Sequence, residues 1–169
     1  DRRSSLTWSG PPVGAAMALV ADELDQVERR LGTLLQSTIA IIPRIGGHLT
    51  FAGGKRFRPM VTLLAAQAAG YRDDHRITIA AAGELLHTAT LLHDDVVDVS
   101  PLRRGRASAM ALWGNRRAVL AGDFFYARAS TMVVEDGDLD VIWVFSNTIR
   151  LMAEGEILQL QRSFDPSVT

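Results

Sequence analysis

The sequence has 169 residues, 47% of them hydrophobic and 22% charged, with a net charge of −1 and no cysteine. That is the size and balance of one globular domain with a substantial core. The near-zero charge excludes a global field drawing the chain to nucleic acid or anionic lipid. The missing thiols exclude a disulfide framework, a zinc–thiolate site and a cysteine nucleophile.

In chain order, residues 1–14 (DRRSSLTWSGPPVG) are polar and rich in Pro and Gly. They are expected to form a flexible N-terminal arm. Residues 15–169 then read as one helical domain. From Ala15 to Leu31, the apolar Met17, Val20, Leu24, Val27 and Leu31 recur at steps of three or four, which predicts an amphipathic helix. Thr33 to Ile42 reads as a second helical piece stopped by Pro43. Ile45 to Phe57 is glycine-rich and contains a basic turn. Pro59 sits where a helix tolerates proline, in its first turn. Met60 to Ala69 is almost wholly apolar and is expected to lie centrally, with Gly70 as its end. Asp73 and Asp74 can cap the next helix, which runs to about Val99, where Ser100-Pro101 breaks it. Leu102 to Ser108 reads as a basic loop. Met110 to Glu135 reads as helical, with a candidate interruption at Gly122. Asp136 to Asp140 is a turn whose acids mimic the start of an EF-hand loop. Val141 and Asn147, however, stand where that loop needs glycine and glutamate. Leu139 to Arg162 is the last helix. No strand alternation is visible, and no apolar run is long and clean enough to span a bilayer. The expected fold is an all-α bundle.

The chemistry concentrates in Leu92-His93-Asp94-Asp95-Val96-Val97-Asp98-Val99. On a helix, His87, Leu91, Asp94 and Asp98 share one stripe. Like charges four residues apart destabilise a helix by a few tenths of a kcal/mol. Beside an apolar core they need a cation. Oxygen-only ligands suit a hard one, with Mg²⁺ the candidate. Leu91, Leu92, Val96 and Val97 argue that the helix is buried on its other faces. Two basic clusters accompany the acids. Arg103-Arg104-Gly105-Arg106 offers guanidinium forks that match phosphate oxygens. Gly53-Gly54-Lys55-Arg56-Phe57-Arg58-Pro59 places glycines and cations before a helix start, where backbone N–H groups favour anions. It is not a Walker loop, because Leu49 and Arg56 stand at positions reserved for Gly and Ser/Thr. Two phosphate-ready sites, one magnesium-ready site and apolar walls together suit substrates with a diphosphate head and a hydrocarbon tail.

These residues resemble the trans-type polyprenyl diphosphate synthases, most closely the long-chain enzymes making octaprenyl or decaprenyl products. The likeness rests on Gly54-Lys55-x-x-Arg58-Pro59, on Glu84-Leu-Leu-His87 through Asp94-Asp95-Val-Val-Asp98, on Arg103-Arg104-Gly105, on Gly122-Asp123-Phe124, and on Ala153-Glu154-Gly155-Glu156-Ile-Leu-Gln159. It implies an isoprenoid synthase-type bundle, here its N-terminal half. It also implies condensation of isopentenyl diphosphate with an allylic diphosphate such as farnesyl or geranyl diphosphate. By the same resemblance, Lys55, Arg58 and His87 hold the isopentenyl diphosphate. Asp94 and Asp98 bind Mg²⁺ with Asp95 in support, Arg103 contacts the allylic diphosphate and Arg104 the isopentenyl one. Gln159 lies near the same cavity. In this family, an aromatic residue five positions before the first aspartate stops the growing tail. Here that position is Ala89, followed by Thr90, with Leu86 further back, so a product longer than farnesyl is expected.

The family's second aspartate-rich motif and its Lys-Thr and Phe-Gln pairs do not occur in these 169 residues. The chain alone is therefore expected to be inactive and to expose an apolar wall. A homodimer or a complementing chain is expected, with no nucleic-acid partner. The expected location is the cytoplasm, or the mitochondrial matrix in a eukaryote. The rival readings are a terpene cyclase, which needs only one diphosphate site, and a non-catalytic subunit of a heteromeric synthase.

Overall fold

The computed structural model describes residues 13–50 and 56–163. The expected arm lies outside them except for Val13 and Gly14, which open the short helix α1 (Val13–Ala18). The predicted helix Ala15–Leu31 is split at Leu19-Val20, and α2 runs Ala21–Leu34. Its apolar stripe behaves as the periodicity demands: Val20, Val27 and Leu31 are completely buried.

Thr33–Ile42 does not form the second predicted helix. Helix α3 is Ile41–Thr50 instead, with Pro43 as its third residue. The physical reason is positional. The first turn of a helix needs no intrahelical N–H, so a proline that would end one helix is accommodated at the start of another. Helix α4 (Phe57–Ala68) carries Pro59 in its first turn as expected. It is not the central helix, however. It buries only Pro59, Met60 and Leu63.

The centre is α5 (His75–Val97), which packs most extensively on α7 (Asn115–Asp136), then on α4 and α2. Its alanines at 80, 81 and 82 and its Leu85, Ala89 and Leu92 are all essentially buried. Small side chains on several faces of α5 let neighbouring helices approach it on several sides. Asp73 Oδ1 accepts from the N–H of His75 at 3.0 Å, closing the start of α5. Val97 is 55% exposed, so the burial expected for it does not occur.

The basic loop contains two short strands, β1 (Leu102–Arg103) and β2 (Arg106–Ala107), paired antiparallel. Arg104 and Gly105 both have positive φ, 51° and 75°. This is the signature of a two-residue hairpin turn of the primed type. Ser108 caps α6 (Ala109–Trp113) by accepting from Ala111 N–H. Gly114, at φ 82°, separates α6 from α7. The interruption expected at Gly122 therefore falls eight residues earlier. Gly122 is instead a contact point, where an added Cβ would meet His93 Cδ2 at 2.6 Å. Asp138 caps α8 (Leu139–Arg162) by accepting from Asp140 and Val141 N–H, which gives that acidic turn a structural role. No residue of α8 is buried, and Leu139, Trp143, Leu151 and Leu160 stand exposed on it.

Candidate diphosphate and metal site

Helix α5 organises the site. At 3.6 residues per turn, His87 and Asp94 project about 20° apart. They form a ridge between two cavities of opposite character. One, of about 380 Å³, is lined by Arg56, Arg58, Glu84, His87, Leu91 and Arg104. The other, of about 390 Å³, is mostly apolar, with Leu86, Ala89, Thr90 and Ile149 in its walls and Asp94, Asp123 and Glu156 beside them. Leu86 is shared with a further apolar cavity of about 560 Å³ that reaches Ile79, Val141 and Phe145. The apolar space thus runs from Asp94 back along α5 towards its N-terminus.

On the basic side, Arg58 comes from the first turn of α4 and Arg104 from the hairpin turn. Burial first, then the charges of Arg58, Arg104 and Arg103, push His87 down to a pKa of about 4. Its imidazole is accordingly neutral at pH 7. Lys55 lies outside the described residues. The hairpin is anchored from below: His48 of α3 donates through Nε2 to the carbonyl of Ala107 at 2.8 Å, and its ring meets Trp113 edge-on.

On the acidic side the three aspartates differ. Asp94 is partly buried, and its carboxyl is raised by that burial and by Glu156, Asp98 and Asp95, with Arg103 opposing. Asp95 is completely buried and pairs with Arg103, Oδ1 to Nε at 2.7 Å. Asp98 caps the helix end in solvent. Next to Asp94, His93 Nε2 lies 3.2 Å from Asp123. Gln159 is exposed on α8, three residues beyond Glu156.

A hard divalent cation fits these donors. Asp95 Oδ2 is buried with no hydrogen-bond partner, and a cation would favour the charged form of Asp94, which burial first and then Glu156, Asp98 and Asp95 disfavour. No group of three or more potential ligands is gathered for a metal among the described residues. A pair of carboxylates suffices for Mg²⁺, which is usually held by one or two of them together with substrate phosphates.

Sequence reasoning did not assign roles to Arg56, Glu84, Asp123 or Glu156, although all but Arg56 stand inside the motifs quoted for the resemblance. Glu84 lies three residues before His87, a helical spacing that puts the two on one side of α5. The others depend on which helix faces which, and that is a tertiary fact.

Residues 40–169 match the family model described as polyprenyl synthetase. The chain is 46% identical over 151 residues to an octaprenyl diphosphate synthase of Escherichia coli, covering 89% of this chain and 47% of that protein. It is 44% identical over 154 residues to an all-trans-nonaprenyl-diphosphate synthase of Rhodobacter capsulatus, covering 90% and 47%. A crystal structure of a polyprenyl synthase from Caulobacter crescentus, complexed with calcium and isoprenyl diphosphate, superposes with a TM-score of 0.90 at 45% identity. It covers 94% of this chain and 48% of that one. The chain therefore spans about half the length of the relatives it matches.

Proposed function

Since the chain belongs to the polyprenyl synthetase family, we propose that it supplies the diphosphate- and metal-binding half of a prenyltransferase. This enzyme would condense isopentenyl diphosphate with an allylic diphosphate to build a long-chain trans-polyprenyl diphosphate. The observation that carries this reading is the pair of cavities on either side of one α5 ridge. A basic one suits a diphosphate, and a long apolar one with an acidic mouth suits an allylic tail and its leaving group.

In this reading Arg58, His87 and Arg104, with Lys55, grip the isopentenyl diphosphate. His87 enters neutral and can donate one N–H to a phosphate oxygen. Asp94 and Asp98 would hold Mg²⁺ beside the allylic diphosphate, and Asp95 fixes Arg103 at the same helix end. The cation, when bound, supplies the positive charge that stabilises departing pyrophosphate. Arg103 adds a guanidinium to the same leaving group, so the allylic C–O bond ionises. The carbocation sits against Leu86, Ala89 and Ile149, away from water that would quench it. The isopentenyl double bond attacks, and the proton lost from the adduct passes to the released pyrophosphate. Each cycle pushes the tail five carbons further towards Phe145. Ala89 and Thr90 leave the passage open, which favours products longer than farnesyl.

The unburied apolar face of α8 and the half-length match support a site completed by further protein, either a later segment or a complementing chain in a dimer. On its own, this half would be inactive. The test is incubation of the intact protein with Mg²⁺, farnesyl diphosphate and labelled isopentenyl diphosphate, followed by product sizing. Incorporation into products longer than the primer supports the proposal. Products formed from farnesyl diphosphate alone, with no isopentenyl incorporation, would indicate a cyclase instead.

A further inference from the structure

The basic cavity is walled by α4 and α5, and one side chain ties these helices together at its edge. Arg56, the residue before α4, has a φ of +46°. This left-handed conformation is unfavourable for a residue bearing a Cβ and persists only where surroundings enforce it. The enforcing contacts are visible. The guanidinium has a side-chain exposure of 13%. Its Nε donates to Glu28 of α2, and Nη2 donates to the same carboxylate at 3.1 Å. Nη1 reaches Glu84 of α5 at 3.2 Å, and Nη2 also donates to the carbonyl of Thr50, the last residue of α3, at 2.8 Å. One residue thus joins α2, α3, α4 and α5.

Its position matters for the cavity. Arg58 follows two residues later on α4, and His87 follows Glu84 by one helical turn on α5. Both Arg56 and Glu84 lie in the cavity wall with them. The charge of Arg56 is already matched by two carboxylates, so it adds little to neutralising an anion. The role left open to it is the spacing between Arg58, which carries charge to that anion, and His87, which offers it an N–H. Planar guanidinium forks hold such a geometry, whereas an ammonium does not.

We propose that Arg56, clamped by Glu28 and Glu84, is a positioning residue that sets Arg58 against His87 for the diphosphate in the basic cavity. The proposal rests on the functional reading above and deepens it.

Three variants of the intact protein test it: Arg56→Gly, Arg56→Lys and Glu84→Gln. Glycine keeps the left-handed turn without steric cost and removes only the side chain. Lysine keeps the charge and loses the fork. The expected result is a rise of about 10- to 100-fold in KM for isopentenyl diphosphate in Arg56→Gly, the size of effect that a misplacement of about 1 Å produces. Arg56→Lys should fail to restore it, and Glu84→Gln should show a smaller rise in the same direction. KM for the allylic substrate should stay within about twofold, since its diphosphate is held elsewhere. Calorimetric binding of inorganic diphosphate gives a second readout that does not need turnover, and Glu84→Gln serves if Arg56→Gly does not fold. Full rescue by lysine would overturn the proposal. So would equal changes in both KM values tracking a fall in melting temperature, or unchanged binding in all three variants. A wild-type protein that binds diphosphate but transfers no prenyl group would overturn the functional reading and leave the clamp standing.

Discussion

Ala89→Phe is the most informative change in the apolar passage. Ala89 is 1% exposed and lines the cavity beside Asp94. At about 1.5 Å per residue it lies roughly 7.5 Å before Asp94 along α5, with Leu86 at about 12 Å and Ile79 at about 22 Å. A five-carbon unit is four backbone bonds of about 1.5 Å, or roughly 5 Å of extended tail at tetrahedral pitch. A phenyl ring at Ala89 would therefore close the passage about one to two five-carbon units past the level of Asp94. Burying each carbon is worth about 0.8 kcal/mol, so denying one unit its place removes about 4 kcal/mol. At about 1.4 kcal/mol per tenfold, that is nearly a thousandfold discrimination per added unit. The product distribution should shift sharply to short chains rather than broaden. The assay is chromatographic sizing of labelled products from the intact protein at limiting and saturating isopentenyl diphosphate. An active Ala89→Phe variant with unchanged product length would refute the passage as a molecular ruler.

Two further outcomes are expected. His87 should titrate near pH 4 by NMR in the free protein. Its pKa should rise on binding inorganic diphosphate, and also in Arg58→Ala, which removes a nearby positive charge. Because the folded pKa lies below the ordinary value of about 6.5, the unfolded chain binds more protons in between. This group's contribution to stability is complete above about pH 6.5 and is lost as pH falls towards 4. A free-state titration near 6.5 would refute the burial assigned to it. In the core, Gly46→Ala should lower stability, because the new Cβ would meet Leu35 Cδ2 at 2.6 Å and Phe125 Cζ at 2.7 Å. Both neighbours are fully packed, so an overpacking cost of about 1–3 kcal/mol should exceed the gain of about 1 kcal/mol from replacing a helical glycine. An unchanged or higher melting temperature would contradict that packing.

The parts of this molecule legible in its sequence are those written by local spacing. The stripe from His87 to Asp98 could be placed because four-residue steps on an uninterrupted helix leave little choice of direction. The bond from Asp73 at the start of α5 and the end of that helix just before Ser100-Pro101 followed from local chemistry alone. Other features depended on partners distant in the chain. Pro43 reads equally as the end of one helix or the start of another until α3 is packed on α5, α6 and α7. The hairpin was hidden because Arg104-Gly105 lacks the usual Asn-Gly signal and its strands are two residues long. Within the site, the three aspartates look alike as letters. Arg103 distinguishes them in space: it claims Asp95, leaving Asp94 at the cavity and Asp98 at the helix end. Arg56 could be read only as one more basic residue until Glu28 and Glu84 were seen to converge on it.

If carboxylates on α5 bring a divalent cation to the allylic leaving group, prenyl transfer should depend on them and on the metal together. The decisive measurement is the rate of transfer against Mg²⁺ concentration for the intact protein and its Asp94→Ala variant. The wild type should be metal-dependent, and the kcat of the variant should fall by about a thousandfold or more, the scale on which loss of a main electrostatic stabiliser acts. Undiminished, Mg²⁺-dependent turnover in Asp94→Ala would contradict that dependence.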